Sequence, residues 1–146
     1  MPIDHLADVV IVSCGGYPKD INLYQAIKSP LNAIHAMKPG GTLLFLAECR
    51  DGGGAKDYFD WIRPLKEGRL DEALRADFTI GGYIFYATCE WLRRGKVYLL
   101  STLPPDLVRE MNIISSPDIG ELLRQIDFTG KDVYVDGFSY FNRVEE

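Results

Sequence analysis

The stretch ADVVIVSCGG (residues 7–16) decides the fold class, because it combines a buried strand with a glycine turn. Its apolar residues do not alternate with polar ones, which is typical of a strand covered on both faces in a parallel sheet. The glycine pair allows the backbone to turn tightly where the strand ends. Parallel strands are joined by helices, so this stretch predicts an α/β domain.

The rest of the chain repeats this order of strand and helix. Asp20 or Asn22 can cap a first helix, and Pro30 predicts a break with Ser29 as the new cap. The other predicted elements are strands at 42–47, 96–101, 113–114 and 132–136, and helices at 56–62 (stopped by Pro64), 66–77, 81–94, 105–112 and 117–126 (capped by Ser116). Residues 1–146 are therefore expected to form one three-layer, Rossmann-like α/β domain, with a mostly parallel sheet of about four to five strands.

The composition predicts a soluble protein with no affinity for polyanions. Hydrophobic residues make up 47% of the 146, enough for one core without metals or disulfides. The formal net charge is −5 and no basic block occurs, so neither nucleic acid nor an anionic membrane is expected as a partner. One or two well-placed cations can still bind a small organic anion.

Cysteine and histidine usage predicts a reducing compartment and no metal site. Cys14, Cys49 and Cys89 are an odd number of thiols, and the amino terminus lacks a signal-peptide layout, so a cytoplasmic location is expected. A soft-metal site at Cys14 and Cys49 is the alternative to buried, inert thiols, which we favour. His35 is expected to be partly buried or to cap a helix, and neither it nor His5 has the carboxylate spacing of a metal site.

Two charged, glycine-rich loops are expected at the carboxyl ends of the first two strands, where ligands bind to open α/β sheets. The N–H groups at the start of the helix after the first loop are expected to favour an anion such as a carboxylate. The candidate residues near a site in the first loop are Gly15, Gly16, Tyr17, Lys19 and Asp20.

Gln25 and Lys28 are a candidate pair on the helix that follows. A spacing of three residues places both side chains on one helix face, where an amide and an ammonium can grip a carboxylate and a hydroxyl together. From the spacing alone, two surface side chains on a solvated face are the favoured interpretation.

Residues 15–25, GGYPKDINLYQ, followed by Lys28, resemble a signature segment of the nickel-dependent lactate racemase family. The segments KPGGT (38–42) and AECRDG (47–52) resemble that family as well, and the likeness is close from residue 8 to residue 54. The resemblance implies that this chain is the carboxy-terminal α/β domain of a two-domain racemase or epimerase whose amino-terminal cofactor domain is absent.

The same resemblance implies a substrate-binding role for this domain. In that family the amino-terminal domain holds a nickel-pincer nucleotide that removes a hydride from a 2-hydroxy acid and returns it. By motif, Lys28 is implied as the catalytic residue that neutralises the substrate carboxylate, Gln25 as its hydrogen-bonding neighbour, and Tyr83 as an aromatic residue lining the pocket. The implied partners are a small 2-hydroxy carboxylate and an amino-terminal catalytic domain or subunit. The isolated chain is expected to hold no cofactor and to be inactive.

Two alternatives remain open. One is a stand-alone, non-catalytic module that binds carboxylates or has a regulatory role. The other is a fragment of a methyltransferase, because residues 7–13 and 33–45 resemble its strand, helix and Pro-Gly-Gly turn, although the cofactor loop on an earlier strand is missing. Aromatic residues form either a core face or a partner surface, and an exposed aromatic tail would favour self-association; they are Tyr83, Phe85, Tyr86 and Trp91, and in the tail Phe138, Tyr140 and Phe141.

Overall fold

The opening stretch forms the strand β1, Ala7–Ser13, in the computed structural model, which describes residues 5–54 and 57–136. Four further strands join it in one parallel sheet in the order β4-β3-β2-β1-β5. These strands are β2 Met37–Leu46, β3 Lys96–Leu100, β4 Ile113–Ser116 and β5 Val133–Asp136. The predicted α/β class and parallel sheet are confirmed. The predicted aromatic tail lies outside the described residues.

Helices connect the strands throughout. They are α1 Leu23–Ala26, α2 Lys28–Ala33, α3 Ile62–Lys66, α4 Leu70–Ala76, α5 Ile80–Leu92, α6 Pro105–Arg109 and α7 Ile119–Gln125, with 3₁₀ turns at Ile34–Ala36 and Tyr58–Trp61. None of the helices in the described ranges is long and apolar enough to cross a membrane.

The sheet has one thickly and one thinly covered face. Alternate strand residues such as Val10, Phe45 and Leu99 pack with the side chains of α1–α6, and we call this the helix-rich face. The intervening residues, such as Val9 and Leu44, form a smaller cluster with Leu122 of α7, and we call this the α7 face. The predicted three layers are therefore present, but they are unequal.

Several predicted boundaries are wrong for local reasons. The helix restarts at Lys28 rather than Ser29, and Pro30 lies in the first turn of α2, where its missing N–H is harmless. Pro64 likewise lies in the first turn of α3 and does not stop a helix. The cap of α7 is Asp118, whose carboxylate accepts from two backbone N–H groups, while Ser116 ends β4.

Two further expectations changed at the amino-terminal edge of the sheet. Residues 39–41, predicted as a turn, lie inside β2, and the register with β1 shifts between Ala7 and Val9 to accommodate them. His35 is exposed rather than partly buried, and its ring packs edge-on against Trp91 with the centroids 4.9 Å apart. On α5, Phe85 is buried and Tyr86 half-buried, as a core face requires, whereas Tyr83 and Trp91 are 51% and 39% exposed and do not belong to it.

Candidate functional site

The two glycine-rich loops lie side by side at the carboxyl edge of the sheet. The first loop (residues 14–22) follows β1 and the second loop (residues 47–54) follows β2, and these strands are paired in parallel. The chain adds β2, β3 and β4 in turn on one side of β1 and then returns to add β5 on the other side, so the order of strands reverses at β1. Ligands of open α/β sheets bind at such a reversal, which places the first loop at the expected ligand site.

A ladder of backbone hydrogen bonds joins the two loops. Its four bonds, each 2.8 or 2.9 Å long, run from Cys49 N–H to the Asp20 carbonyl, from Asp51 N–H to Ile21, from Leu23 N–H to Gly52 and from Tyr24 N–H to Gly53. Because residues 20–24 and 49–53 pair in order, the second loop fixes both the first loop and the start of α1.

This ladder overturns the expected anion site at the start of α1. The N–H groups of Leu23 and Tyr24 donate to the second loop, and the N–H of Gln25 donates to Asn22 Oδ1 at 2.9 Å. The first donors of this four-residue helix are therefore already used. A carboxylate bound near α1 would depend on side chains instead.

Glycine at position 54 leaves room for the Asn22 side chain, which caps the start of α1. Gly54 has φ +100, and a Cβ there would come within 2.4 Å of the Asn22 side chain. Both the backbone angle and the close approach exclude an ordinary side chain.

Gln25 and Lys28 are brought together as their spacing predicted. Lys28 Nζ donates to Gln25 Oε1 at 2.9 Å, and both residues are exposed. No carboxylate in the described part of the chain forms an ion pair with this ammonium. The pair therefore presents one exposed, uncompensated cation beside an amide.

Tyr24 is a neighbour that the sequence analysis did not single out. Lys28 Nζ lies 5.7 Å from the centroid of the Tyr24 ring, a cation–π distance. That ring packs edge-on against the buried Tyr58 at 6.1 Å. The four-residue spacing between Tyr24 and Lys28 on a helix was the available signal.

Tyr83 lies in the first turn of α5, and no contact places it against the Gln25–Lys28 pair. It is 51% exposed, and its ring neighbour is Phe78 at 6.2 Å. Because α5 runs from the second loop's side of the sheet back to the start of β3, its first turn is at the carboxyl edge. Tyr83 therefore shares the edge, but not a contact, with Lys28.

The other first-loop candidates divide into exposed and buried groups. Gly15 and Gly16 have φ of 90 and 70, and the Tyr17 ring is exposed with the Arg50 guanidinium 4.9 Å from its centroid. Lys19 is half-buried. Asp20 is only 6% exposed, and its Oδ2 accepts from the Glu48 N–H at 2.9 Å. This buried carboxylate therefore connects the first loop to the second.

The three cysteines are buried free thiols, as we favoured. Burial raises the pKa of Cys14 and Cys89 to about 12, and it raises that of Cys49 to about 11. Thiolates are the metal-binding and nucleophilic form, so these groups are held in the inert state. Within the described ranges, no three His, Cys, Asp or Glu side chains are grouped so as to hold a metal ion.

Comparison with known proteins identifies relatives of one kind. The family model described as the lactate racemase C-terminal domain matches residues 3–136. The lactate racemase of Thermoanaerobacterium thermosaccharolyticum is 43% identical over 61 residues, covering 42% of this chain and 14% of that protein. The lactate racemase of Lactiplantibacillus plantarum is 36% identical over 69 residues, covering 46% and 16%.

The fold has a solved counterpart as well. The structure of the lactate racemase apoprotein from T. thermosaccharolyticum superposes with a TM-score of 0.76 at 27% identity, over 90% of this chain and 34% of that one. The chain thus spans about a third of the solved relative.

Proposed function

The chain belongs to the family of lactate racemase C-terminal domains, and from this premise we propose that it is the substrate-binding domain of a 2-hydroxy acid racemase or epimerase. The observation that supports the proposal most is the Gln25–Lys28 pair, an exposed cation and amide in hydrogen-bond contact on α1 and α2, directly after the first loop. Membership of this family also leaves the methyltransferase alternative without support.

Lys28 supplies the electrostatic part of binding. Its ammonium has three donors and gives one to Gln25, so two remain for a substrate carboxylate. Charge-assisted hydrogen bonds of this kind are about twice as strong as neutral ones. The N–H groups at the start of α1 are occupied and cannot bind the substrate carboxylate. In this proposal the carboxylate therefore depends on the Lys28 ammonium.

Gln25 supplies orientation. Its amide oxygen accepts from Lys28, which leaves the amide N–H₂ free to donate. In the proposed pose this group donates to the oxygen on C2 of the substrate, a hydroxyl before hydride removal and a carbonyl afterwards. Oxidation of the hydroxyl also releases its proton, which we assign to a base of the amino-terminal domain or subunit. The Gln25 donor holds the oxygen in place and stabilises the negative charge that it carries once this proton has left.

The hydride acceptor is proposed to belong to an amino-terminal domain or subunit, as are the metal ligands. The described residues form no metal-binding group and do not fit a nickel-pincer nucleotide by themselves, so no step is assigned to that group here. On this proposal the isolated chain binds substrate without turning it over, and a cytoplasmic location remains a prediction.

The first experiment is a titration of the ¹⁵N-labelled chain with L-lactate, followed by NMR. We expect saturable shifts at Gln25 and Lys28, none with the uncharged lactamide, and loss of the response in Lys28→Ala. Lys38→Ala is the matched control, because Lys38 is an exposed lysine paired with Asp8 at the opposite edge of the sheet. Lactate shifts that persist in Lys28→Ala would contradict the proposed binding site.

The catalytic role proposed for Lys28 is tested in an enzyme that also contains the amino-terminal domain. With this domain replacing the matching region of the T. thermosaccharolyticum lactate racemase, Lys28→Ala is expected to lower turnover by about a hundredfold or more, because a fixed charge at the reacting group is lost. Lys38→Ala should retain the parent activity. Normal racemisation by Lys28→Ala would sink the assignment.

The native mass separates the racemase from the stand-alone binding module. An antibody against this chain should detect a species much larger than 16.5 kDa in the source cells, or a stable complex with a catalytic subunit. A 16.5 kDa species without such a partner, which still binds lactate, would favour the binding module.

A further inference from the structure

The Lys28 side chain has a second contact, which the proposed function does not use. Its ammonium donates to Gln25 Oε1 at 2.9 Å, and it also lies over the ring of Tyr24, with Nζ 5.7 Å from the centroid. A cation within about 6 Å of an aromatic face is attracted by the negative charge of that face. Lysine has a long, flexible stem, so two contacts at its head restrict the positions that an exposed ammonium would otherwise sample.

The Tyr24 ring is anchored in the core. It is half-buried and packs against the core of the helix-rich face, edge-on to the Tyr58 ring with the centroids 6.1 Å apart. Tyr58 is fully buried and packs edge-on in turn against Phe59 at 5.6 Å and Phe85 at 5.4 Å. Tyr24 is therefore the outer end of a chain of packed rings, and a ring braced in this way offers a fixed face to the ammonium.

The backbone fixes Tyr24 and Lys28 relative to each other. The Tyr24 N–H donates to the Gly53 carbonyl at 2.9 Å, which ties the start of α1 to the second loop. Lys28 begins α2, and Ile27 between the two helices keeps right-handed helical angles of φ −62 and ψ −18. Helical geometry therefore continues from Tyr24 to Lys28, and a spacing of four residues places their side chains on one face.

We infer that Tyr24 is a positioning residue for Lys28, an inference that rests on the proposed function. The ring holds the ammonium over its face, while Gln25 takes one donor and two remain for the substrate carboxylate. Because the cation is ordered before the substrate arrives, less freedom is lost on binding and the affinity is higher. The contact needs an aromatic face and not a hydroxyl, so Phe can replace Tyr24 whereas an aliphatic residue cannot.

The free chain tests this placement without any substrate. In NMR spectra of the ¹³C-labelled chain, the Cε protons of Lys28 should resonate upfield of those of Lys38, because the ring current of Tyr24 shields protons above its face. Lys38 is the matched reference, an exposed lysine paired with Asp8. Tyr24→Phe should keep the upfield shift and Tyr24→Leu should remove it. Equal Lys28 and Lys38 shifts in the parent chain, or an upfield shift that survives in Tyr24→Leu, would overturn the inference.

Titration with L-lactate tests the consequence for binding. Tyr24→Leu should weaken lactate binding about two- to fivefold, the range expected for a cation–π contact at an exposed site, and Tyr24→Phe should bind as the parent does. Tyr86→Leu is the matched control, because Tyr86 is a half-buried tyrosine on α5 that packs against the same core. This control should also bind lactate as the parent does.

The outcomes separate this inference from the proposed function. Full lactate affinity in Tyr24→Leu, with binding lost in Lys28→Ala, would refute the positioning role and leave the proposed function standing. Equal weakening by Tyr24→Phe and Tyr24→Leu would assign the effect to the hydroxyl, and equal weakening by Tyr86→Leu would assign it to the core. Either result would also refute the positioning role. Lactate binding that persists in Lys28→Ala would contradict both proposals.

Discussion

The helix-rich face and the α7 face of the sheet serve different purposes. On the first, six helices bury strand residues such as Phe45 completely. On the second, α7 is the one helix among the described residues that covers the sheet, and there Leu46 and Leu100 are half-buried and Val135 is 65% exposed. The two faces therefore contribute unequally to the fold, because the helix-rich face carries most of the core, whereas residues of the α7 face line a cavity at the carboxyl edge of the sheet.

The largest expected effect tests where the core lies. Phe85→Ala on the helix-rich face should lower the free energy of unfolding by about 3–5 kcal/mol, because Phe85 is fully buried and its ring contacts Tyr58 at 5.4 Å. Leu122→Ala on the α7 face should lower it by about 2 kcal/mol, since a single helix can move to close the gap. Urea unfolding measures both. Equal losses would show that the two faces contribute alike.

A second pair of variants compares Gly54 in the second loop with Gly120 in α7. Gly54→Ala should destabilise the fold by about 2 kcal/mol, combining backbone strain at φ +100 with loss of the Asn22 cap. Gly120→Ala in α7 meets its nearest atoms at 3.2 Å and gains helix propensity, so a change within about 0.5 kcal/mol is expected. The same unfolding assay applies, and a Gly54→Ala protein as stable as the parent would show that the second loop does not brace α1.

The smallest effect is a change of the free energy of unfolding with pH, which reports on the helix-rich face because the three buried thiols lie there. Cys14, Cys49 and Cys89 all belong to the helix-rich core, and burial raises each folded-state pKa above 9, to about 11 or 12. Above pH 9 the unfolded chain therefore releases thiol protons that the folded chain retains, so stability falls as pH rises from 9 toward 12. Unfolding at pH 7, 9 and 10.5 under reducing conditions should show this fall, and Cys89→Ala should make it shallower. An unchanged slope in that variant would contradict the assignment.

Local patterns of apolar and β-branched residues were enough to predict the sheet and the long helices. The β-branched run of β1 and the apolar run of β3 have no helical period, and both formed strands where predicted. Leu70 and Leu74, four residues apart in the predicted helix 66–77, are the buried residues of α4. These elements are determined by their own residues, so the sequence alone defines them.

Features that depend on distant partners were not predictable in this way. The donors at the start of α1 looked free because their acceptors, Gly52 and Gly53, lie about thirty residues later in the chain. Asp20 was considered as a helix cap, yet it is a buried acceptor that faces the second loop. The Gln25–Lys28 contact was predictable, since both residues lie within one turn, but its role rests on the family resemblance.

The ladder between the two loops has a consequence for how this domain can change over evolution. Loops of α/β proteins ordinarily tolerate insertions and deletions. Here residues 20–24 and 49–53 pair bond by bond, so a residue gained or lost in one loop would misalign the other. We expect length variation among relatives to concentrate in turns whose hydrogen bonds are local, such as residues 127–131, while these two loops keep their lengths together.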